Sequence, residues 1–589
     1  MTKTVLVETV RFQERFSSGR KFRTCVSRCL ALAAMACIPQ ITAVALAASP
    51  SVEDLKNDSR MPDNVVTYGM GYGLQRFSPL TWINKGNVNR LVPIWNLSLD
   101  NSANASTQPL VIDGVMYVAS HNATVAIDAL TGKQKWKALI ELPADVNGYL
   151  CCGIHTRGLA ALDGVLYRTT IDAHVMAIDM ATGKTLWNNK AADYKEGYSQ
   201  THAPLIANGV LITGISGGEY GTRGFLDGWD TKTGKQLWHR FTVPAPDEVG
   251  GDTWADKEVY KKGGAPTWLT GSYDPDLDLV YWGTGNGGPW NPAFRGKDTK
   301  GICTVLAIRP KTGETVWSYQ FSPGDPYDYD GTNELVHADL RIGGVMHKVI
   351  MQANRNGFFY VLDRSNGKLL AANQFAKKVN WAAGIDMQTG RPIDTAMTKE
   401  VRANVEMKDF VDVWPSAFGG KNWMPMSYSP KRGLVYANTL NLGYKYKTVK
   451  PEYKQGAWYL GIELGGWVDP ADGNRGALSA IDPVTGKTVW EVPTKVPFWA
   501  GVLSTAGDLV FTGAQTGEFM AFDADNGKKL WQFQTGSGIS GLPITWSHKG
   551  TQYVTVTSGA ATVYGALGGD PGLAQVPAGS SVWTFALVK

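Results

Sequence analysis

One recurring pattern constrains the fold of this chain more than any other feature. An apolar residue is followed by Asp-x-x-(Thr/Asn)-Gly-Lys-x-x-Trp. Full copies occur at Asp128…Gly132…Trp136, Asp179…Gly183…Trp187, Asp230…Gly234…Trp238, Asp482…Gly486…Trp490 and Asp523…Gly527…Trp531. Two variant copies occur at Arg309…Gly313…Trp317 and at Asp363…Gly367, where Ala371 replaces the tryptophan. A repeated short unit of this kind is typical of an array of similar structural modules.

Each Asp-x-x-Thr-Gly segment predicts a tight turn, because glycine supplies the positive φ that such a turn needs. Short runs typical of strands flank these turns, for example at 164–167 and 509–512. Strand, turn, strand and tryptophan together indicate a propeller blade. The first three copies are 51 residues apart, and the 119 residues between Gly367 and Gly486 leave room for a degenerate blade and excursions. We therefore predict an all-β, eight-bladed propeller whose tryptophans join neighbouring blades, with the segment beginning at Val582 closing the ring against the N-terminal segment.

The N-terminus indicates export. Six arginines and lysines between Arg11 and Arg28 precede an apolar stretch that ends in a small-residue cleavage motif, Ala45-Leu46-Ala47. Pro39 interrupts the stretch, which argues against a membrane anchor. We predict a signal peptide over 1–47, a propeller domain over 48–589 and a periplasmic location. Of the 57 basic and 52 acidic residues, seven and two lie in 1–47, so the remainder is balanced and offers no charge pattern for nucleic acid.

Cys151 and Cys152 are adjacent, and with Cys303 they are the cysteines outside the predicted signal peptide. Adjacent cysteines are awkward to bridge, and their disulfide would barely constrain the unfolded chain. Two unpaired small hydrophobic residues are the alternative. The export signal favours a disulfide, whose purpose would be a local, stiff sulfur surface, with Cys303 left as a free thiol.

The Trp repeats and the run Cys151-Cys152-Gly-Ile-His-Thr-Arg157 resemble the pyrroloquinoline quinone (PQQ) alcohol dehydrogenases of the methanol and ethanol dehydrogenase type. The resemblance spans nearly all of the chain beyond the leader. It implies that PQQ lies on the propeller axis between the Cys151–Cys152 disulfide and the ring of Trp268. Further PQQ contacts implied by matching motifs are Arg157, Thr169, Ser216, Gly217, Gly218, Arg355, Asn422 and Trp499. The family often has Glu where this chain reads Ser106-Thr-Gln-Pro, so one polar contact is expected to differ.

The resemblance also implies a cation bound beside the quinone by Glu219, Asn286 and Asp328. All-oxygen ligation suits a hard ion. Asp330 adds a further carboxylate, which in this family marks the lanthanide-dependent members. We therefore expect one lanthanide(III) ion held by Glu219, Asn286, Asp328 and Asp330, with a calcium enzyme of the same chemistry as the alternative.

The implied reaction is oxidation of an alcohol to an aldehyde or ketone. Asp328 would accept the hydroxyl proton, and Arg355 would stabilise charge on the quinone oxygens. No Cys-x-x-Cys-His motif is present for covalent haem, so the expected electron acceptor is a separate periplasmic c-type cytochrome. The loops 376–415 and 440–470 are expected to border the substrate pocket. A non-catalytic propeller scaffold is the distant alternative, and a homodimer is included among the expected partners.

Overall fold

The computed structural model describes residues 49–100, 105–559 and 562–588. Eight sheets built on four antiparallel strands follow one another along these residues, and one of them has a fifth strand. Each sheet is one blade of the predicted eight-bladed propeller. The predicted signal peptide, 1–47, lies outside the described residues. None of the helices in the described part of the chain is long and apolar enough to cross a membrane.

Seven blades use consecutive or nearly consecutive strands. Blade 1 comprises Leu110–Ile112, Val115–Ser120, Ala123–Asp128 and Gln134–Leu139, and blade 2 comprises Ala160–Leu162, Val165–Thr169, His174–Asp179 and Thr185–Lys190. Blade 3 comprises Leu205–Ala207, Val210–Thr213, Phe225–Asp230 and Gln236–Phe241, and blade 4 comprises Ser272–Asp274, Leu279–Gly283, Thr304–Ile308 and Thr315–Gln320. Blade 5 comprises Val336–Ile342, Val345–Ala353, Phe358–Asp363 and Leu369–Gln374, and blade 6 comprises Ser427–Ser429, Leu434–Leu440, Gly476–Ile481 and Thr488–Thr494. Blade 7 comprises Leu503–Thr505, Leu509–Gly513, Glu518–Asp523 and Lys529–Gln534. Phe77–Ser78 adds a short parallel strand to blade 7.

Blade 8 closes the ring by joining the two ends of the domain. Ile544–His548, Thr551–Ser558 and Ser581–Leu587 form three strands, and Leu91–Ser98 from near the N-terminus is the fourth. Leu97 lies opposite Val582 in this antiparallel pair. The predicted closure by the segment beginning at Val582 is confirmed: Ser581–Leu587 pairs with Leu91–Ser98, so blade 8 joins the two ends of the domain.

The 119-residue interval between Gly367 and Gly486 contains no degenerate blade. It holds the last strand of blade 5, two small sheets outside the blades and the first three strands of blade 6. The small sheets comprise Ala382–Asp386 with Arg391–Asp394, and Val411–Val413 with Gly443–Thr448 and Ile462–Val468. The blade without a copy of the repeat is blade 8, because it is assembled from both ends of the chain.

Helices are short and lie between or outside the blades. The α-helices are Val52–Asn57, Ala396–Ala403 and Val563–Leu567. The 3-10 helices are Asp58–Arg60, Val88–Arg90, Val146–Tyr149, Tyr194–Glu196, Gly218–Tyr220, Gly251–Thr253, Val259–Lys262, Pro292–Phe294 and Pro571–Gln575.

The repeated tryptophans join neighbouring blades, as the sequence predicted. The ring of Trp136 in blade 1 covers Gly183 in the turn of blade 2, and its Nε1–H donates to the Met180 carbonyl at 3.1 Å. The same packing of a ring on a glycine is made by Trp95 on Gly132, Trp187 on Gly234, Trp238 on Gly313, Trp317 on Gly367 and Trp490 on Gly527. Trp317 packs in this way without the indole hydrogen bond to a described residue. In blade 5 the tryptophan is missing, and Asn373 covers Gly486 while donating to Val484 O at 3.1 Å.

Gly183 and Gly164 lie in two different turns of blade 2, and comparing them distinguishes two reasons for a glycine: a positive φ and close packing of a tryptophan ring. They have nearly equal positive φ values, +75° and +78°, but a Cβ on Gly183 would lie 2.6 Å from Trp136, whereas one on Gly164 would meet nothing within 4 Å. We expect Gly164→Ala to lower the free energy of unfolding by about 1–2 kcal/mol, because alanine is strained in a left-handed backbone conformation. Gly183→Ala should lower the free energy of unfolding by about 1–3 kcal/mol more, because its Cβ also displaces the ring of Trp136. Denaturant midpoints of the two variants would measure the difference, and equal losses would contradict this role for Trp136.

Candidate functional site

The topology of the blades gathers the predicted site residues at one end of the propeller. In a four-stranded antiparallel blade, the start of the first strand and the connection between the second and third strands lie at the same end. The predicted residues fall in these two positions. Trp268 and Asp328 precede the first strands of blades 4 and 5, while Glu219 and Arg355 lie between the second and third strands of blades 3 and 5. The repeated Asp-x-x-Thr-Gly turns join the third and fourth strands and therefore lie at the opposite end.

These loops enclose a cavity of about 390 Å³. Its wall contains many of the predicted residues: Cys151, Cys152, Arg157, Ser216, Gly217, Glu219, Trp268, Asp328, Asp330, Arg355, Asn422 and Trp499. They come from seven different loops spread over more than 340 residues of sequence. The structure thus brings together, around one space, residues that the sequence marked separately.

The Cys151–Cys152 disulfide predicted from the sequence is formed, and Cys303 is a buried free thiol. The disulfide lies in the loop that leads into blade 2 and forms part of the cavity wall. Gly153, which follows it, has φ +88°. Because both sulfurs belong to adjacent residues, the bridge places a compact sulfur surface at the cavity without tying distant segments together.

Trp268 is held by two kinds of contact. Its Nε1–H donates to Asp330 Oδ2 at 2.9 Å, which fixes the plane of the ring. The guanidinium carbons of Arg157 and Arg355 lie 5.0 and 5.5 Å from the ring centroid. Arg157 also lies 4.8 Å from the centroid of Trp423, so two cationic and two aromatic groups pack together at the cavity.

Three acidic side chains, Glu219, Asp328 and Asp330, share this end of the cavity with the guanidinium of Arg355. Arg355 Nη1 donates to Asp328 Oδ2 at 2.8 Å, and Nη2 lies 3.1 Å from Asp330 Oδ2. Burial, and then the charges of Asp330 and Glu219, raise the pKa of Asp328 well above its ordinary value, while Arg355 opposes the shift. Burial and then Asp330 raise the pKa of Glu219 to about 7. The negative charge gathered here exceeds what one arginine compensates.

The oxygens at this end fit a hard cation. Asp328 Oδ1 and Asn286 Oδ1 are buried and have no hydrogen-bond partner among the residues that the structure describes, and Glu219 lines the cavity. Unpaired buried oxygens are costly unless a ligand or ion satisfies them. Within the ranges that the structure describes, no three His, Cys, Asp or Glu side chains converge tightly enough to form a ready metal site. Arg355, which contacts both aspartates, occupies part of this neighbourhood.

The cavity wall also offers donors that fit an acidic, planar cofactor. Ser216 Oγ, Arg157 Nε and Arg355 Nε are buried without a hydrogen-bond partner. Arginine and hydroxyl donors are suited to carboxylates and quinone oxygens. Gly218 packs against the metal side of the site, because a Cβ there would lie 2.6 Å from Asn286 Oδ1. Neither Gly218 nor Asn286 lines the cavity directly.

Thr169 does not contact the cavity, which corrects the expectation from the sequence. It is fully buried in blade 2, and its hydroxyl donates to the His202 carbonyl at 2.7 Å. The threonine that lines the cavity beside Arg157 is Thr201, whose Oγ1 accepts from Arg157 Nη1 at 2.5 Å. Its position before the first strand of blade 3 is the sequence signal that could have identified it.

The outer part of the cavity is built by segments outside the blades. Residues from 440–470 contribute Tyr444, Trp458, Leu460, Leu464, Gly466 and Trp467, whereas 376–415 contributes none. Trp467 stacks on Phe418 with centroids 4.7 Å apart, and its Nε1–H donates to Leu567 O at 2.6 Å. That bond ties the excursion Ile462–Val468 to the helix Val563–Leu567 at the cavity mouth.

Comparison with known proteins gives a consistent result. A family model described as "PQQ: Glucose/ethanol/alcohol dehydrogenase, beta-propeller domain" matches residues 66–375 and 474–554. The chain is 40% identical to the quinoprotein alcohol dehydrogenase PedH of Pseudomonas putida, over 92% of this chain and 94% of that protein. It is 37% identical to the lanthanide-dependent methanol dehydrogenase of Methylacidiphilum fumariolicum, over 87% of both chains. Among solved structures, a europium-containing methanol dehydrogenase matches with a TM-score of 0.84 and 35% identity, covering 91% of this chain and all of the other.

Proposed function

The chain belongs to the family of PQQ-dependent alcohol dehydrogenases, and on this premise we propose that it oxidises an apolar alcohol with the help of a lanthanide ion. The observation that carries the proposal is the shared cavity: the vicinal disulfide, Trp268, the two arginines and the three acids all border one space. When bound, PQQ supplies the acceptor for the hydride of the alcohol, and the metal supplies a Lewis acid beside it.

We assign the cofactor to the disulfide, Trp268 and the donors around them. Arg157, Ser216 and Arg355 each present a buried donor atom without a partner, and Thr201 fixes the orientation of Arg157. Gly217, Asn422 and Trp499 complete the proposed contacts at the wall. Arg355 is also proposed to stabilise negative charge that develops on the bound group, since its guanidinium stays in the water-poor part of the site.

We assign the metal ligands as Glu219, Asn286, Asp328 and Asp330. Asp328 is also assigned as the base that accepts the proton of the substrate hydroxyl. Of the two Asp328 carboxylate oxygens, Oδ2 accepts from Arg355, while Oδ1 has no partner. Oδ1 is therefore the atom available to take a proton or to bind the cation. Arg355 supports the ionised form of Asp328 against the effect of burial, as a general base requires.

The proposed location is the periplasm, and the proposed electron acceptor is a separate c-type cytochrome. The leader-like N-terminus supports the first proposal, and the lack of a Cys-x-x-Cys-His motif in the sequence supports the second. Reconstitution of the purified chain with PQQ and either La³⁺ or Ca²⁺, assayed with an artificial acceptor and several alcohols, tests the proposal as a whole. A scaffold protein would show no metal- and PQQ-dependent alcohol oxidation.

Asp328→Asn tests the proton acceptor. We expect kcat to fall by about 100-fold or more, because an amide cannot take the hydroxyl proton. PQQ and metal content must be measured in the same sample, since Asp328 is also a proposed ligand. Asp325→Asn is the matched control: Asp325 is a buried acid in the same loop that does not line the cavity. Near-normal kcat in a fully loaded Asp328→Asn protein would rule out this role.

Asp330 distinguishes the lanthanide proposal from the calcium alternative. An added carboxylate better neutralises a trivalent ion, so we expect light lanthanides to support much higher activity than Ca²⁺. Asp330→Ala should remove lanthanide-dependent activity more completely than any activity with Ca²⁺. Turnover with Ca²⁺ equal to that with La³⁺, in lanthanide-free buffer, would favour the calcium alternative and leave the family assignment intact.

The wall of the outer cavity indicates the substrate class. Every charged side chain that lines the cavity belongs to the inner group of Arg157, Glu219, Asp328, Asp330 and Arg355. The outer wall is mainly apolar and aromatic: Leu150, Phe418, Trp458, Leu460, Leu464, Trp467, Val563 and Leu567. A sugar or a charged hydroxy acid would find few polar partners there, so we propose an alcohol with a hydrocarbon body.

A series of primary alcohols from 1-propanol to 1-hexanol tests this substrate class. Each methylene buried at the outer wall is worth about 0.8 kcal/mol, or roughly fourfold in kcat/KM until the space is filled. Leu464→Ser should flatten this dependence on chain length. Leu139→Ser, at an exposed leucine of blade 1 that is remote from the cavity lining, should leave it unchanged. Higher kcat/KM for glycerol than for 1-hexanol would contradict the proposal.

A further inference from the structure

Arg355 contacts both aspartates of the proposed metal site at once. Nη1 donates to Asp328 Oδ2 at 2.8 Å and to the Asp328 carbonyl at 3.0 Å, and Nη2 lies 3.1 Å from Asp330 Oδ2. The planar guanidinium thus bridges two carboxylates that are separated by a single residue. A fork of fixed N–H donors suits such a bridge, whereas an ammonium group does not reproduce it.

The guanidinium of Arg355 contacts the Oδ2 atom of each aspartate and does not bind the Oδ1 atoms. Asp330 Oδ2 also accepts from Trp268 Nε1 at 2.9 Å, and Asp330 Oδ1 accepts from the backbone N–H of Asn286 at 2.5 Å. Asp328 Oδ1 has no partner. The Oδ1 atoms of both aspartates therefore retain lone pairs for a cation, while the Oδ2 atoms hold the arginine.

Arg355 is also fixed within the site by its own packing. The side chain is buried, and Nη1 reaches the Ala417 carbonyl at 3.4 Å in addition to the aspartates. Gly419 lies so close that a Cβ there would be 2.6 Å from the Arg355 Cα. The positive charge is consequently a permanent part of the site rather than a surface group that swings away.

We infer that Arg355 is an internal counter-cation that lowers the preference of the metal site for trivalent over divalent ions until PQQ is bound. The inference rests on the proposed metal site. Glu219, Asp328 and Asp330 carry three negative charges when ionised, but Arg355 reduces the net charge to that of two. A fixed positive charge repels a trivalent ion half again as strongly as a divalent one at the same distance. A carboxylate contributed by bound PQQ would restore the third negative charge.

Cofactor-free protein provides the test, with Tb³⁺ as the trivalent probe and Ca²⁺ as the divalent competitor. Tb³⁺ luminescence sensitised by tryptophan reports binding, and Trp268, bonded to Asp330, is a built-in antenna. We expect Arg355→Met to raise the ratio of the Ca²⁺ to the Tb³⁺ dissociation constant by roughly 10- to 100-fold, because one charge product is removed at short range. Arg355→Lys, which keeps the charge but not the fork, should leave the ratio within about threefold of the unmodified protein.

Arg157→Met is the matched control, because Arg157 also packs against the Trp268 ring but donates to Thr201 rather than to an acid. It should shift the ratio clearly less than Arg355→Met. If Arg355→Met does not fold, as judged by circular dichroism, Arg355→Gln replaces it and retains a donor for Asp328. An unchanged ratio in a folded neutral variant would overturn the inference.

The proposed metal site can fail separately from this inference. If the unmodified protein gives Tb³⁺ luminescence that Asp330→Ala does not reduce, the ion is bound elsewhere and the metal assignment is wrong. If Asp330→Ala abolishes the signal but the neutral Arg355 variants keep the original ratio, the metal assignment stands and only the role of Arg355 is overturned.

Discussion

The structure depends on one repeated contact, in which a tryptophan ring of one blade packs against the glycine turn of the next. It combines a hydrogen bond from the indole to a turn carbonyl with apolar contact that a Cβ would prevent, as the approach of Trp136 to Gly183 shows. Repetition of this ring-on-glycine packing, with Asn373 in place of a tryptophan in blade 5, joins each blade to the next from blade 1 to blade 7. The pairing of Leu91–Ser98 with Ser581–Leu587 then closes the ring, so that loops from all parts of the chain meet around one axis.

Because the repeated turns occupy one end of the propeller, the opposite end is free to carry loops without a repeat. Those loops build a cavity in which acids exceed bases, and the buried Asp328 and Asp330 share a single arginine. Such an arrangement is unfavourable for an empty core and favourable for a bound cation. Stability supplied by the repeat therefore permits a site that would be destabilising by itself.

Most of the residues that line the inner cavity could be predicted, because they lie in motifs that resemble those of a known family. Thr169 and Thr201 show where this reasoning ends. Both are threonines near the start or end of a blade strand, but Thr169 turns its hydroxyl to a buried carbonyl while Thr201 faces Arg157. The apolar mouth, with Trp467 bonded to Leu567, joins two excursions separated by about 100 residues, and no local pattern connects them.

The sequence by itself determined the blade number, the inter-blade tryptophans, the vicinal disulfide and the family, because each is carried by local spacing or adjacent residues. Tertiary structure decided the rest. It built the eighth blade from both ends of the chain instead of from the interval between Gly367 and Gly486, because the pairing of Leu91–Ser98 with Ser581–Leu587 completes the four strands of that blade. It also placed Arg355 between Asp328 and Asp330, a contact between charges on different loops that depends on distance and burial rather than on sequence order.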